Sequence, residues 1–242
     1  MGEIQVIVIH VRGQIEREAF MQKQLDELGW PFHYVLEGDV SDLTPELLDR
    51  YFLKDGKPET MYGQFPRTSC AYKELLAYEY IIKNNLEGAL ILEDDIRLFR
   101  EFPIVFLKSM KEYQDEYSNL PFIANYEESS LMLIPRSRRR KDKILYQVSR
   151  DRYTGCYFVN REAAQAIIDY TLQHKCDLPL DRYHTKLIDL GLINYFWSHP
   201  CLACQCTADG SMPTLIPTKP RPWKRLKWFY KRLYKHLLYH FR

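Results

Sequence analysis

An α/β fold follows from three features of this 242-residue chain. An apolar run, Ala89-Leu90-Ile91-Leu92, leads straight into Glu93-Asp94-Asp95, after which the apolar pattern resumes at Ile96. A short unbroken apolar run suits a strand buried on both faces, as in a parallel sheet. Residues 4–10, 14–28 and 32–36 read as strand, helix and strand, a βαβ unit whose crossover is expected to be right-handed. The 46% hydrophobic content supports a core without disulfide staples, in one large domain or one domain with an appendage.

Each element has its own local signal. Residues 4–10 are apolar and β-rich. Over 14–28, Ile15, Ala19, Gln22 or Leu25, and Leu28 recur roughly on one face, and Gly29 is a helix stop. Residues 32–36 make the second strand, which runs into Glu37-Gly38-Asp39. Thr44-Pro45-Glu46 opens a short helix with a capping hydroxyl, Pro at the first position and an acid. Residues 54–66 are a loop rich in Gly and Pro, and 68–84 a long helix with Leu75, Leu76, Ala77, Tyr80 and Ile81 inward. The acidic strand follows. Helices are then expected over 103–117, 161–172 and 180–190, and strands over 122–124, 131–134, 144–148, 153–159, 195–197 and 201–205. The division expected is a body over 1–212, a Pro-rich linker over 213–222 and a tail over 223–242.

The net charge of +2 conceals an asymmetry. Residues 219–242 hold nine Lys/Arg and no acid, which leaves 25 basic against 32 acidic residues in 1–218, or −7. An acidic body argues against nucleic-acid binding, which would have to use the tail alone. In the tail, Trp223, Leu226, Tyr230, Leu233, Tyr234, Leu237 and Phe241 fall in one helical arc. Lys224, Arg225, Lys231, Arg232, Lys235 and Arg242 fall opposite, the pattern of a helix lying in an anionic membrane interface. No run reaches the roughly 18 apolar residues of a membrane span, and residues 1–10 lack the features of a signal peptide. The expected place is therefore the cytoplasm, peripheral on the inner face of the membrane.

The six cysteines, at 70, 156, 176, 201, 204 and 206, are expected as free thiols. His199-x-Cys201-x-x-Cys204-x-Cys206 has zinc-type ligands, but its spacing is compressed and no second pair follows, so packing is expected instead. Arg136-Ser137-Arg138-Arg139-Arg140-Lys141 reads as a solvated loop, or as a binding site for an anionic acceptor or lipid phosphate.

The chemistry centres on Glu93-Asp94-Asp95. Adjacent carboxylates repel, so they need a cation to stay ionised together. Oxygen ligands at the carboxyl end of a buried strand suit Mn²⁺ or Mg²⁺ bridging a diphosphate. An acidic, solvated turn is the alternative.

Seven segments, in order, resemble glycosyltransferase family 25, the bacterial lipooligosaccharide galactosyltransferase group related to the collagen galactosyltransferases. They are Val6-Ile7-Val8-Ile9 with Arg17, Glu37-Gly38-Asp39, Ser69-Cys70-Ala71-Tyr72, Leu90 to Asp95, Thr154 to Val159, Pro179-Leu180-Asp181, and Pro200 to Gln205 with Ser211. Lys73-Glu74 stands where the family usually carries Ser-His. The resemblance implies a GT-A-like, Rossmann-type fold, a nucleotide-sugar donor such as a UDP-hexose, and inversion at the anomeric carbon. On it rest the remaining roles. Asp95 is the expected metal ligand, with Glu93 or Asp94 on the ribose or completing the shell, and His199 a late-chain metal candidate. Asp181 is the expected catalytic base, with Asp151 and Glu128 as alternatives. Thr154 and Gly155 are expected to let backbone approach the donor, and Arg12 and Arg17 to steady phosphate or base, or to be surface residues. The acceptor implied is a lipopolysaccharide-core or other lipid-linked glycan. A silent relative that binds without transferring is the competing reading.

Overall fold

The computed structural model describes residues 4–57, 59–129, 132–215 and 223–241. Seven strands form the central sheet: β1 (Val6–Ile9), β2 (Phe32–Val35), β3 (Gly88–Glu93), β5 (Phe122–Asn125), β6 (Leu145–Val148), β7 (Cys156–Asn160) and β8 (Asn194–Ser198). Their spatial order is β2-β1-β3-β7-β5-β8-β6. The sheet is mixed rather than parallel. β2, β1 and β3 run together, as do β5 and β8, while β7 runs against both β3 and β5 and β6 runs against β8.

Strand alternation divides the core in two, as a period of 2 requires. Ile7, Ile9, Ala89, Ile91, Val159 and Tyr195 face helices α3 (Pro66–Lys83), α5 (Arg161–His174) and α6 (Leu180–Asp189). Val6, Val8, Leu90, Leu92, Phe122 and Phe158 face α1 (Ile15–Leu28) and α4 (Phe102–Glu116). Burial on both faces explains why the acidic strand reads as a continuous apolar run. The local stops and starts also hold. Gly29 ends α1 at φ 66°, a left-handed conformation that costs glycine little. Thr44 caps α2 (Pro45–Tyr51), accepting the Leu47 amide at 3.3 Å. Asn160 caps α5 through the Ala163 amide at 3.0 Å.

The strand expected over 131–134 is absent. Met132, Leu133 and Ile134 have no regular structure, and Leu131 lies outside the described residues. Two short strands, β4 (Ile96–Leu98) and β9 (Ala203–Gln205), pair separately, with Ile96 opposite Gln205. That pairing folds the late chain over the acidic turn, and the four-residue helix α7 (Cys206–Asp209) follows it.

Helix α8 (Lys224–Phe241) packs on α7 and on the 3-10 turn Arg136–Arg138. It docks through its basic side. Lys235 is buried, its ammonium donating to the Ser129 carbonyl at 3.0 Å and to Glu128 at 3.4 Å, and Arg232 lies 3.6 Å from Glu128. Trp223, Leu226, Tyr230, Leu233, Tyr234 and Leu237, all on the arc read from the sequence, are exposed, as is Phe229. The side chains of Lys224, Arg225 and Phe241, residues 216–222 of the linker, and Arg242 lie outside the described residues. Among the described residues, no helix is long and apolar enough to cross a membrane.

Candidate active site

Parallel β1, β2 and β3 end at one edge of the sheet, and Ile9 stands opposite Glu93 there. A cavity of about 210 Å³ opens at this edge. Glu93, Asp94 and Asp95 form one wall, Arg17 and Lys73 bring positive charge, and Pro66, Ser69 and Cys70 present the first turns of α3. The first position of α3 is a proline without an N–H, and the Thr68 and Ser69 amides donate to the Phe65 carbonyl at 3.0 and 2.9 Å, so the positive charge at this edge comes from Arg17 and Lys73.

The three acids have different surroundings. Asp94 lies 2.9 Å from His10 Nδ1 and accepts Arg17 Nη1 at 2.5 Å. Burial pushes its carboxyl up, but His10 and Arg17 outweigh that and hold it below the usual carboxylate range. Asp94 is thus already neutralised by the protein. Glu93 and Asp95 have neutral partners. Glu93 accepts the Thr154 hydroxyl at 3.1 Å and the Gln205 amide at 2.7 Å, and Asp95 accepts the Thr207 backbone N–H at 3.1 Å. Burial first, and then the charge of Asp95, push the Glu93 carboxyl up to about 8. Burial likewise raises Asp95. The Glu93–Asp95 pair therefore holds a proton at neutral pH, which a cation would displace.

A fourth carboxylate, Glu127, escaped the sequence reading. It follows β5 at the same edge and is fully buried, accepting the Gly155 amide at 2.8 Å, and burial and Glu93 push it well above its ordinary value. The signal available in the sequence was an acid two residues beyond the end of an apolar strand. Gln205 also escaped it, although it lies in a segment singled out above.

Several expected site residues are placed differently. Thr154 and Gly155 do not line the cavity; Thr154 binds Glu93, and the space beside Gly155 is filled by the protein itself. A Cβ on Gly155 would lie 2.7 Å from Glu127 Oε2 and 2.9 Å from Gln205 Nε2. Arg12 is half exposed and does not line the cavity, binding Asp39 at 2.7 Å and Asp42 at 2.6 Å. It acts on the cavity through Asp39, which does line it. His199 does not join the acids. It follows β8, three strand positions from β3, about 14 Å at the usual spacing. It borders a separate cavity, and burial and the charges of Arg139, Arg152 and Lys235 hold its imidazole down to about 4.

Asp181, in the first turn of α6, accepts the Arg182 amide at 2.8 Å and lies outside the cavity's lining. The two alternatives are engaged elsewhere. Glu128 holds Lys235 of α8, and Asp151 is buried 2.7 Å from His184 Nδ1 and accepts the Tyr195 hydroxyl. Of the departure at 73–74, Lys73 is buried and lines the cavity, its ammonium donating to the Leu36 and Glu37 carbonyls at 3.0 Å and pairing with Asp39 at 2.9 Å. Glu74 turns away, accepts the Tyr157 hydroxyl, and is pushed well above its ordinary value by burial.

All six cysteines are free. Among the described residues, no three His, Cys, Asp or Glu side chains are grouped to hold a metal. Two carboxylates still fit Mn²⁺ or Mg²⁺, because such ions take one or two protein carboxylates when diphosphate and water supply the other oxygens.

A family model described as glycosyltransferase family 25 (LPS biosynthesis protein) matches residues 3–184. One similar solved structure is described as that of a glycosyltransferase involved in the glycosylation of the major capsid of PBCV-1. It is 12% identical, with a TM-score of 0.44, over 84% of this chain and 94% of that one. No curated protein matches.

Proposed function

Because the chain belongs to glycosyltransferase family 25 and is a transferase, we propose that it moves a hexose from a nucleoside-diphosphate donor, UDP-galactose being the expected one. The acceptor is a hydroxyl of a lipopolysaccharide-core or other lipid-linked glycan, and the fold is of the GT-A type. One observation carries the reading: the proton-holding Glu93–Asp95 pair faces Arg17, Lys73 and the start of α3 across one small cavity. Mn²⁺ or Mg²⁺ bound there would supply Lewis-acid stabilisation of the charge that develops on the leaving diphosphate.

The chain's own groups supply the rest. Glu93 and Asp95 would hold the cation, and the Arg17 guanidinium would donate to the diphosphate. Lys73 fixes the 36–39 loop that walls the site. Inversion requires the acceptor oxygen to bond to the anomeric carbon as the bond to the diphosphate oxygen breaks. The hydroxyl proton passes to a base on the opposite face. We assign that base to Asp181, in the first turn of α6. The exposed apolar face of α8 sits on an anionic membrane surface, which keeps the enzyme beside a lipid-linked acceptor.

A thermal-shift screen of nucleotide sugars with and without Mn²⁺ tests the site. A donor at 100 times its Kd stabilises by about 2.7 kcal/mol. Stabilisation that needs the metal and disappears in Asp95→Asn is expected; equal stabilisation with chelator would refute the metal assignment.

A further inference from the structure

A second cavity, about 940 Å³, lies away from Glu93, Asp94 and Asp95, between α4 and residues 136–144. Lys108, Lys111, Arg136, Arg139, Arg140 and Lys141 line it. Part of its charge is cancelled internally. Lys143 lies 3.8 Å from Glu112 and 3.6 Å from Glu116, and Glu112 also accepts the Ile144 amide at 2.8 Å. The other six cations face two further acids in the lining, Asp115 and Asp142. The wall is therefore strongly positive although the body is acidic overall.

We propose that this cavity is a second binding site, which takes phosphate-ester groups of a lipid surface. Clustered Arg and Lys side chains recognise phosphate by charge-assisted hydrogen bonds, and the volume admits a headgroup with its phosphate. The lipid source follows from the neighbouring helix. The turn Arg136–Arg138 that contributes to the cavity is also the turn on which α8 packs, and α8 carries Leu226, Phe229, Tyr230 and Leu233 exposed. Apolar surface beside phosphate-binding cations matches a phospholipid interface. The inference extends the membrane reading above and is independent of the donor cavity.

The test uses the full chain with two exposed pairs, Lys108→Ser/Lys111→Ser and Arg140→Ser/Lys141→Ser. The control, Lys23→Ser/Lys83→Ser, makes the same charge change far from the cavity. The readouts are retention on phosphatidylglycerol vesicles and titration with glycerol 3-phosphate. At about fivefold per lost cation, each cavity pair should weaken vesicle binding roughly 30-fold, and the control pair less than about threefold. Equal losses in all three pairs would overturn the site in favour of general charge. Vesicle binding that survives both cavity pairs would also overturn it, with membrane attachment by α8 intact. Saturable glycerol phosphate binding without vesicle binding would refute the lipid source, making soluble phosphate esters the ligand. Donor stabilisation by Mn²⁺ and nucleotide sugar should be unchanged in every variant, so failure there concerns the other cavity.

Discussion

Asp95→Asn separates the two causes of the raised Glu93 carboxyl. The amide still offers an oxygen to the Thr207 N–H, so the acidic turn should keep its shape while losing one charge. In the wild type, Glu93 titrates near 8 in the folded chain against an ordinary value of 4.5. Between those values the folded state holds a proton that the unfolded chain has released. Stability therefore falls as pH rises through this window and levels off above it. At ~1.4 kcal/mol per unit, the whole shift has a ceiling of about 5 kcal/mol. Burial is the larger cause and Asp95 the second, so the substitution should recover at most about 2 kcal/mol of that loss. Urea unfolding of both proteins from pH 5 to 9 in chelator measures it. The stability gain of the variant should grow with pH and saturate above pH 8. Glu74 is also raised but has no direct cause in Asp95, so it cancels to first order in the difference, while Glu127, which Asp95 helps to raise, adds to the gain in the same direction. A gain independent of pH would refute the coupling between Glu93 and Asp95, and with it the argument that the pair lacks a cation.

Two further substitutions probe the support of the site. Gly155→Ala places a methyl 2.7 Å from Glu127 Oε2 and 2.9 Å from Gln205 Nε2, and should destabilise by about 1–3 kcal/mol in denaturant melts while weakening donor-induced stabilisation. Lys73→Met removes a buried ammonium that holds two carbonyls and Asp39, and should cost about 2–4 kcal/mol. Arg12 still neutralises Asp39, so the fold should survive, and hydrogen exchange should speed up at residues 36–42 before it does in the rest of the sheet.

The acidic strand was legible because burial on both faces leaves a plain apolar run, and because three acids at its end contrast with it. The direction of β7 was not. Cys156 to Asn160 are fully buried in either direction, and whether they run with or against β3 depends on a pairing more than 60 residues away in sequence. His199 shows the same limit in the site. Residue type proposed it as a ligand, while its lateral position, on the far side of β7 and β5, is set by strand order. Glu127 and Gln205 reach Glu93 by tertiary routes, one from β5 and the other through the β4–β9 pair. In the tail, Lys235 turns toward the body while Leu226, Tyr230, Leu233, Tyr234 and Leu237 are exposed. Which face meets the body follows from charge: a body of net −7 offers Glu128 to Lys235, and apolar area alone does not predict that.

Why three consecutive acids serve better than two can be argued from their separate partners. A carboxylate pair alone at a buried strand end would repel, and the turn would open to water unless something held it. Asp94 supplies the hold. Its ion pair with Arg17 and its 2.9 Å contact with His10 tie the turn to α1 and to the end of β1, and Arg17 also reaches the Pro213 carbonyl. Arg17 thus brings one positive charge near Glu93 and Asp95 without bonding to either, which eases their repulsion without satisfying it. Glu93 and Asp95 keep neutral donors, which orient their oxygens but contribute roughly half of what an ionic partner would. The arrangement is rigid and short of positive charge at one point, the condition under which binding a divalent cation gains the most.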